Sequence, residues 1–139
     1  MDFSSINWLA VLLGVVITFF SAFVWFSPKA FYPAWWRALG KGDVQPGESN
    51  MIMVFGLTLV AIVVQNTLLA LVMDGFARAT GNVNVATGLA VGLVVGLITS
   101  TASLGHRLFA GQGLKVWAIE VSNDVVNLAV VGLVLSFFY

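Results

Sequence analysis

Four apolar stretches, at residues 6–26, 51–73, 85–105 and 116–138, leave this chain few choices of fold. A helix needs about 20 mainly apolar residues to cross the roughly 30 Å hydrocarbon core of a bilayer, and each stretch is that long. Inside lipid every backbone N–H and C=O must be bonded internally, which a continuous helix does alone. The expected fold is therefore all-α, an integral membrane four-helix bundle forming a single membrane domain over 1–139. Composition agrees: 60% of residues are apolar and only 9% charged, with a mean hydropathy of +1.00. The opening "MDFSSINW" carries an acid where a signal peptide carries basic residues. The apolar run behind it is also too long for a signal core, so the first span reads as retained.

The segments between the spans hold all three prolines and most of the charge, which marks them as loops. Lys29, Arg37, Lys41, Arg107 and Lys115 fall in the first and third loops, 27–50 and 106–115, while Arg78 stands alone in the second. The positive-inside rule then places the first and third loops in the cytoplasm and both termini outside. Trp25, Tyr32, Trp35, Trp36 and Trp117 gather at the inner boundary, with Trp8 and Tyr139 at the outer one. Indole and phenol rings favour that zone because an apolar body can keep a wet edge.

In "SPKAFYPAWWRALG", Ser27 can cap a turn with Pro28 at its first position, Pro33 can open a second turn, and Gly40 can close it. This predicts a short interfacial helix after the first span. Trp25, Ser27, Pro28, Phe31, Trp35 and Trp36 are its expected anchor residues. In the third span Gly88, Gly92, Gly96 and Ser100 recur every four residues. They form a seam of small side chains where another helix backbone can approach closely, within the chain or across a dimer.

The fourth span carries the least expected feature, "EVSNDVVN". At 3.6 residues per turn, Glu120, Asn123, Asp124 and Asn127 share one face. With Lys115 at the boundary and 1.5 Å of rise per residue, Glu120 lies roughly 8 Å deep, Asp124 about 13 Å and Asn127 about 18 Å. The other spans bring polar groups to the same half: Thr18 and Ser21, Gln65 and Asn66, and Thr99, Ser100 and Ser103. An acidic residue at a helix centre costs about 2.5 to 3.5 kcal/mol on insertion scales, so burial of the stripe inside the bundle is expected. Desolvation and mutual repulsion disfavour two charges one turn apart, and Asp124, the deeper, is the expected titrating group. Glu120 can be held as an anion by Arg107 or Lys115 reaching inward along their aliphatic stems.

Asp74 and Arg78, four residues apart at the outer boundary, are expected to form a surface pair of little weight. His106 beside Arg107 reads as an interfacial charge, because a lone histidine needs partners to bind a metal.

The first span and loop, "INWLAVLLGVVITFFSAFVWFSPKAFYPAWW", resemble the opening of the small bacterial membrane proteins catalogued as domain of unknown function 1761. The shared pattern is an Asn-Trp pair, an aromatic pair before Ser-Pro, then Phe and Trp. Here it falls on Asn7, Trp8, Trp25, Phe26, Ser27, Pro28, Phe31 and Trp35. The last third, from Gly88 to Leu135, is similar to the family's closing helix pair. Where members commonly carry Tyr before Ser-Pro, this chain has Phe26. The resemblance implies a four-span unit in the bacterial inner membrane and brings no reaction or ligand with it.

Several function classes are excluded or disfavoured on composition. There are six basic and six acidic residues and no basic stripe, which argues against nucleic-acid binding. Without cysteine there is no disulfide or thiolate chemistry. No nucleophile with its base, phosphate-cradling loop or cofactor fingerprint is present, so neither an enzyme nor a cofactor is expected; the minor alternative is acid/base chemistry on a lipid by the paired carboxyls. Two readings follow. The first is a small transporter or conductance protein for a proton, cation or small polar solute, with Glu120, Asn123, Asp124, Asn127, Asn66, Gln65, Thr99 and Ser103 around a cavity open to the cytoplasm. The second is a non-catalytic assembly or accessory protein. Its stripe and glycine seam would bind a second protomer, a dimer being favoured, or another membrane protein.

Overall fold

The computed structural model describes residues 3–43 and 50–139. Loop residues 44–49 and the acidic second residue, named above, lie outside them. Five α-helices follow a short 3-10 turn at Phe3–Ser5: α1 Trp8–Trp25, α2 Tyr32–Ala38, α3 Met51–Thr80, α4 Val85–Phe109 and α5 Gly113–Leu135. No strand occurs among the described residues. The helices α1, α3, α4 and α5 are each long and apolar enough to cross a membrane.

Asparagine starts three of these four. The Asn7 side-chain oxygen accepts from the N–H of Leu9 and Ala10, that of Asn50 from Met53, and that of Asn84 from Thr87. Each bond satisfies an N–H that has no partner inside the helix, a stronger need in lipid than in water. The fourth, α5, has no side-chain cap and follows α4 through a turn with Gly111 and Gly113 at φ +71° and +79°. Left-handed glycines there let the chain reverse within residues 110–112.

Two of the helices, α3 and α4, run further than the apolar stretches predict. α3 continues past 73 to Thr80, where Gly81 in the left-handed conformation ends it. Asp74 and Arg78 therefore belong to a helix and not to a loop. α4 continues past 105 to Phe109, with His106 and Arg107 in its last turn, where positive charge suits the helix dipole. The connection placed at 106–115 shrinks accordingly.

The expected short helix forms as α2, with a proline in its first turn. Gly40 follows it at φ +73°. Residues 27–31 form the turn that precedes it. The central helix is α5, which packs against all four others. The core gathers Ala10 and Val11 of α1, Leu69, Leu71 and Met73 of α3, and Leu128, Val131 and Leu135 of α5. This cluster lies in the half of the bundle away from α2.

Candidate functional site

The polar face of α5 divides when the neighbouring helices are in place. Asn123 and Asn127 are buried at 5% and 4% exposure, Glu120 is half-buried, and Asp124 is exposed. The expected burial of the whole stripe is thus corrected for Asp124. Successive residues of a helix point about 100° apart, so adjacent Asn123 and Asp124 can face a neighbour and a gap respectively.

Glu120 is the most tightly held member. Its Oε1 accepts from the indole Nε1 of Trp35 on α2 at 2.8 Å. Its Oε2 pairs with the Nε of Arg107 in the last turn of α4 at 2.5 Å. Both carboxylate oxygens are thus engaged, by an aromatic helix on one side and a cation on the other. Of the two cations the sequence offered, Arg107 is the partner, and Lys115 is exposed.

The remaining indoles also donate. Trp25 Nε1 bonds the Ile119 carbonyl oxygen at 3.1 Å, one residue before Glu120, and Trp117 Nε1 bonds the Ser100 carbonyl oxygen at 3.0 Å. Trp25 stacks on Phe31 with ring centres 4.5 Å apart, and Phe26 meets Trp35 edge-on at 5.4 Å. Ser27 is half-buried beside this group and Pro28 exposed. Trp36 is half-buried, stacked with Tyr32 at 5.6 Å.

Asn66 is 1% exposed. Its Nδ2 donates to the Ile62 carbonyl oxygen at 2.9 Å and reaches Thr18 Oγ1 at 3.4 Å, a long contact. Among the described residues its Oδ1 has no hydrogen-bond partner, and neither does the buried Asn123 Oδ1. Gly14 makes room for Asn66: a Cβ there would run into Asn66 Oδ1 and lie 2.9 Å from Val131 Cγ1. This contact registers α1, α3 and α5 against one another at a single level.

Below that level α3 leaves the bundle. Every residue from 51 to 61 is exposed, and burial begins at Ile62. An apolar groove of about 330 Å³, lined by Phe19, Phe23, Val54, Phe55 and others, separates this arm from α1. α3 and α5 run in the same direction, so seven residues back from Asn66 and from Val131 bring Leu59 roughly level with Asp124. Asp124 shares its face with Leu128, Val131 and Leu135, all at most 3% exposed. The face is covered where α3 packs and bare where α3 diverges. Asp124 has no hydrogen-bond or ion-pair partner among the described residues.

The other candidates are placed apart from this group. Thr99 is exposed and returns its hydroxyl to the Gly96 carbonyl; Ser103 is half-buried and donates to the Ser100 carbonyl. Gln65 is half-buried on α3. Gly88, Gly92, Gly96 and Ser100 are all buried and face α5 of the same chain. A Cβ at Gly92 would overlap the Leu128 carbonyl oxygen, one at Gly88 the Gly132 carbonyl oxygen, and one at Gly96 would lie 2.9 Å from Val125 Cα.

At the opposite end Asp74 pairs with Arg78 at 2.9 Å. The surface pair expected there is corrected, because the Asp74 side chain is 8% exposed against 58% for Arg78. The helix carries Asp74 onto the packed face beside Met73, as a loop would not. Tyr139 accepts at its hydroxyl from the Asn7 N–H at 3.2 Å. Between this end and Asn66 lies the close-packed layer of Leu69, Leu71 and Met73.

Sequence reasoning missed Trp35 and Trp25 as hydrogen-bond donors to α5. The only signal was chemical: a carboxyl near the boundary needs donors, and an indole is a donor that favours that zone. Spacing carried none, since Trp35 and Glu120 are 85 residues apart.

Four helices long and apolar enough to cross a bilayer mark a multi-pass helical membrane protein. Its family follows from comparison of the whole chain: residues 9–136 match the family described as "Protein of unknown function (DUF1761)", and the chain belongs to it. No curated protein and no solved structure matches.

Proposed function

We propose that the chain is a small membrane carrier that takes up a proton or small cation at Asp124 in a cleft open toward the cytoplasm. The observation that carries this reading is the exposed carboxylate of Asp124, with no hydrogen bond or ion pair among the described residues, at the level where α3 has left the bundle. Ionisable groups inside membranes are costly and mark ion or proton paths by default. Two buried carbonyl oxygens without donors among the described residues, Asn123 Oδ1 and Asn66 Oδ1, support it, because such groups call for water or a ligand. A small polar solute with a donor group fits the same acceptors. The packed layer of Leu69, Leu71 and Met73 beyond Asn66 favours a gated carrier over an open pore.

The test is flux into vesicles containing the purified chain and an entrapped pH-sensitive dye, under an imposed cation gradient. Asp124→Asn is expected to abolish the pH-dependent flux while the protein remains folded. Equal flux from the two proteins would overturn the reading.

A second reading rests on the exposed arm of α3. Residues 51–61 and Asp124 together offer an uncovered face to a second protomer or another membrane protein. The glycine seam is already occupied by α5, so assembly would use this face instead. Cross-linking from the arm in vesicles, lost in Asp124→Asn, is the outcome that favours assembly.

A further inference from the structure

We propose that the groove between α1 and the free arm of α3 is a binding site for an acyl chain of an anionic phospholipid, whose headgroup lies at the turn 27–31 beside Lys29. Such a site needs no transported ion and stands apart from the carrier reading.

The groove has the length and course of a lipid tail. One end lies at Phe19 and Ile62, where α3 begins to pack, and the other at Phe26 and Val54, beside Ser27 and Pro28 of the turn. Seven residues of α1 (19 to 26) and eight of α3 (54 to 62) separate the two ends, roughly 11 Å at 1.5 Å of rise per residue. One leaflet contributes about 15 Å of the hydrocarbon core, so a groove running along two spanning helices follows the tail of a lipid standing in that leaflet.

Its walls suit hydrocarbon. Only Ser27 and Thr58 among the lining residues are polar, and the Thr58 hydroxyl donates to the Val54 carbonyl oxygen of its own helix at 2.8 Å. Water therefore gains little there. The volume is about 330 Å³, whereas an α-helix about 10 Å across would need roughly 800 Å³ to lie inside over the same length. A flexible tail fits the space and a partner helix does not.

The turn end is positive. Lys29 follows Pro28 directly, is exposed and makes no ion pair among the described residues. Across residues 27–43, Lys29, Arg37 and Lys41 stand against a single acid, Asp43. Basic residues beside a span attract anionic headgroups, each by roughly fivefold in binding. Half-buried Ser27, with no side-chain hydrogen bond among the described residues, adds a hydroxyl donor at the same end.

The experiment reconstitutes the full chain into vesicles holding equal amounts of phosphatidylglycerol and phosphatidylcholine with identical acyl chains. Released into mild detergent, the protein is weighed with its bound lipid by native mass spectrometry. Phosphatidylglycerol is expected to be retained in roughly fivefold excess. Lys29→Gln is expected to remove most of that excess. Thr58→Trp, at an exposed position of the arm, fills the groove and is expected to abolish retention of both lipids. Val60→Trp, two residues on and pointing to the other side of the arm, is expected to leave retention unchanged.

Equal retention of the two lipids by the unsubstituted chain overturns the site. So does retention that survives Thr58→Trp, or that Val60→Trp reduces equally. A dimer mass in place of retained lipid, lost in Thr58→Trp, overturns it in favour of a second copy of the chain. If Thr58→Trp does not fold, Lys29→Gln still decides, because an undiminished excess overturns the proposal. Retention without any vesicle flux leaves the lipid site standing and removes the carrier reading, and flux without retention does the reverse.

Discussion

α3 and α4 are both long apolar helices, and they meet α5 in opposite ways. α4 is sealed over 88–100: Gly88, Gly92 and Gly96 bring its backbone against the backbone of α5, with no room for a methyl group at any of them. α3 packs only from Ile62 onward, and Gly56 on its free arm has nothing within 4 Å of a built Cβ. In lipid the tails are as apolar as leucine, so hydrophobicity does not pull helices together. Close approach of backbones does. The seam with a glycine every four residues is shut, and the arm with one glycine among mostly large apolar side chains stands open.

The largest effect that can break this comparison is at the seam. Gly92→Ala places a methyl group on the Leu128 carbonyl oxygen and is expected to cost about 3 kcal/mol, read as loss of folded protein in detergent unfolding. Gly56→Ala is its counterpart on the arm. It is expected to be neutral or stabilising by up to about 1 kcal/mol, because alanine favours the helix and meets no neighbour. If the two variants unfold alike, the contrast between α3 and α4 fails.

Smaller effects sharpen the picture at the α2 end. Arg107→Gln leaves the Glu120 carboxylate without its cation, and a loss of about 2 kcal/mol is expected in the same unfolding measurement. Trp25→Phe removes one indole bond to the Ile119 carbonyl and is expected to cost about 1 kcal/mol. Leu57→Ala, on the free arm, is expected to change stability by less than about 0.5 kcal/mol. A clear destabilisation by Leu57→Ala would mean that the arm is packed after all.

Much of this was legible in the sequence. The four spans follow from length and apolarity, and the seam from a spacing of four in Gly88, Gly92, Gly96 and Ser100. The shared face of Glu120, Asn123 and Asn127 follows from helical pitch, and a basic partner for Glu120, Arg107 or Lys115, from the reach of those side chains; the structure selects Arg107. The outward position of Asp124 was not legible. Nor were the burial of Asp74 and the indole bonds of Trp25 and Trp35.

The sequence by itself determined which segments enter the membrane and which residues share a face, because both depend on local length and pitch. Only the tertiary structure decided which neighbour each face meets and how far up α3 that contact begins. A uniformly apolar helix in lipid has no preferred side, so where α3 parts from α5, leaving Asp124 bare, is set by contacts such as Gly14 with Asn66 and Val131.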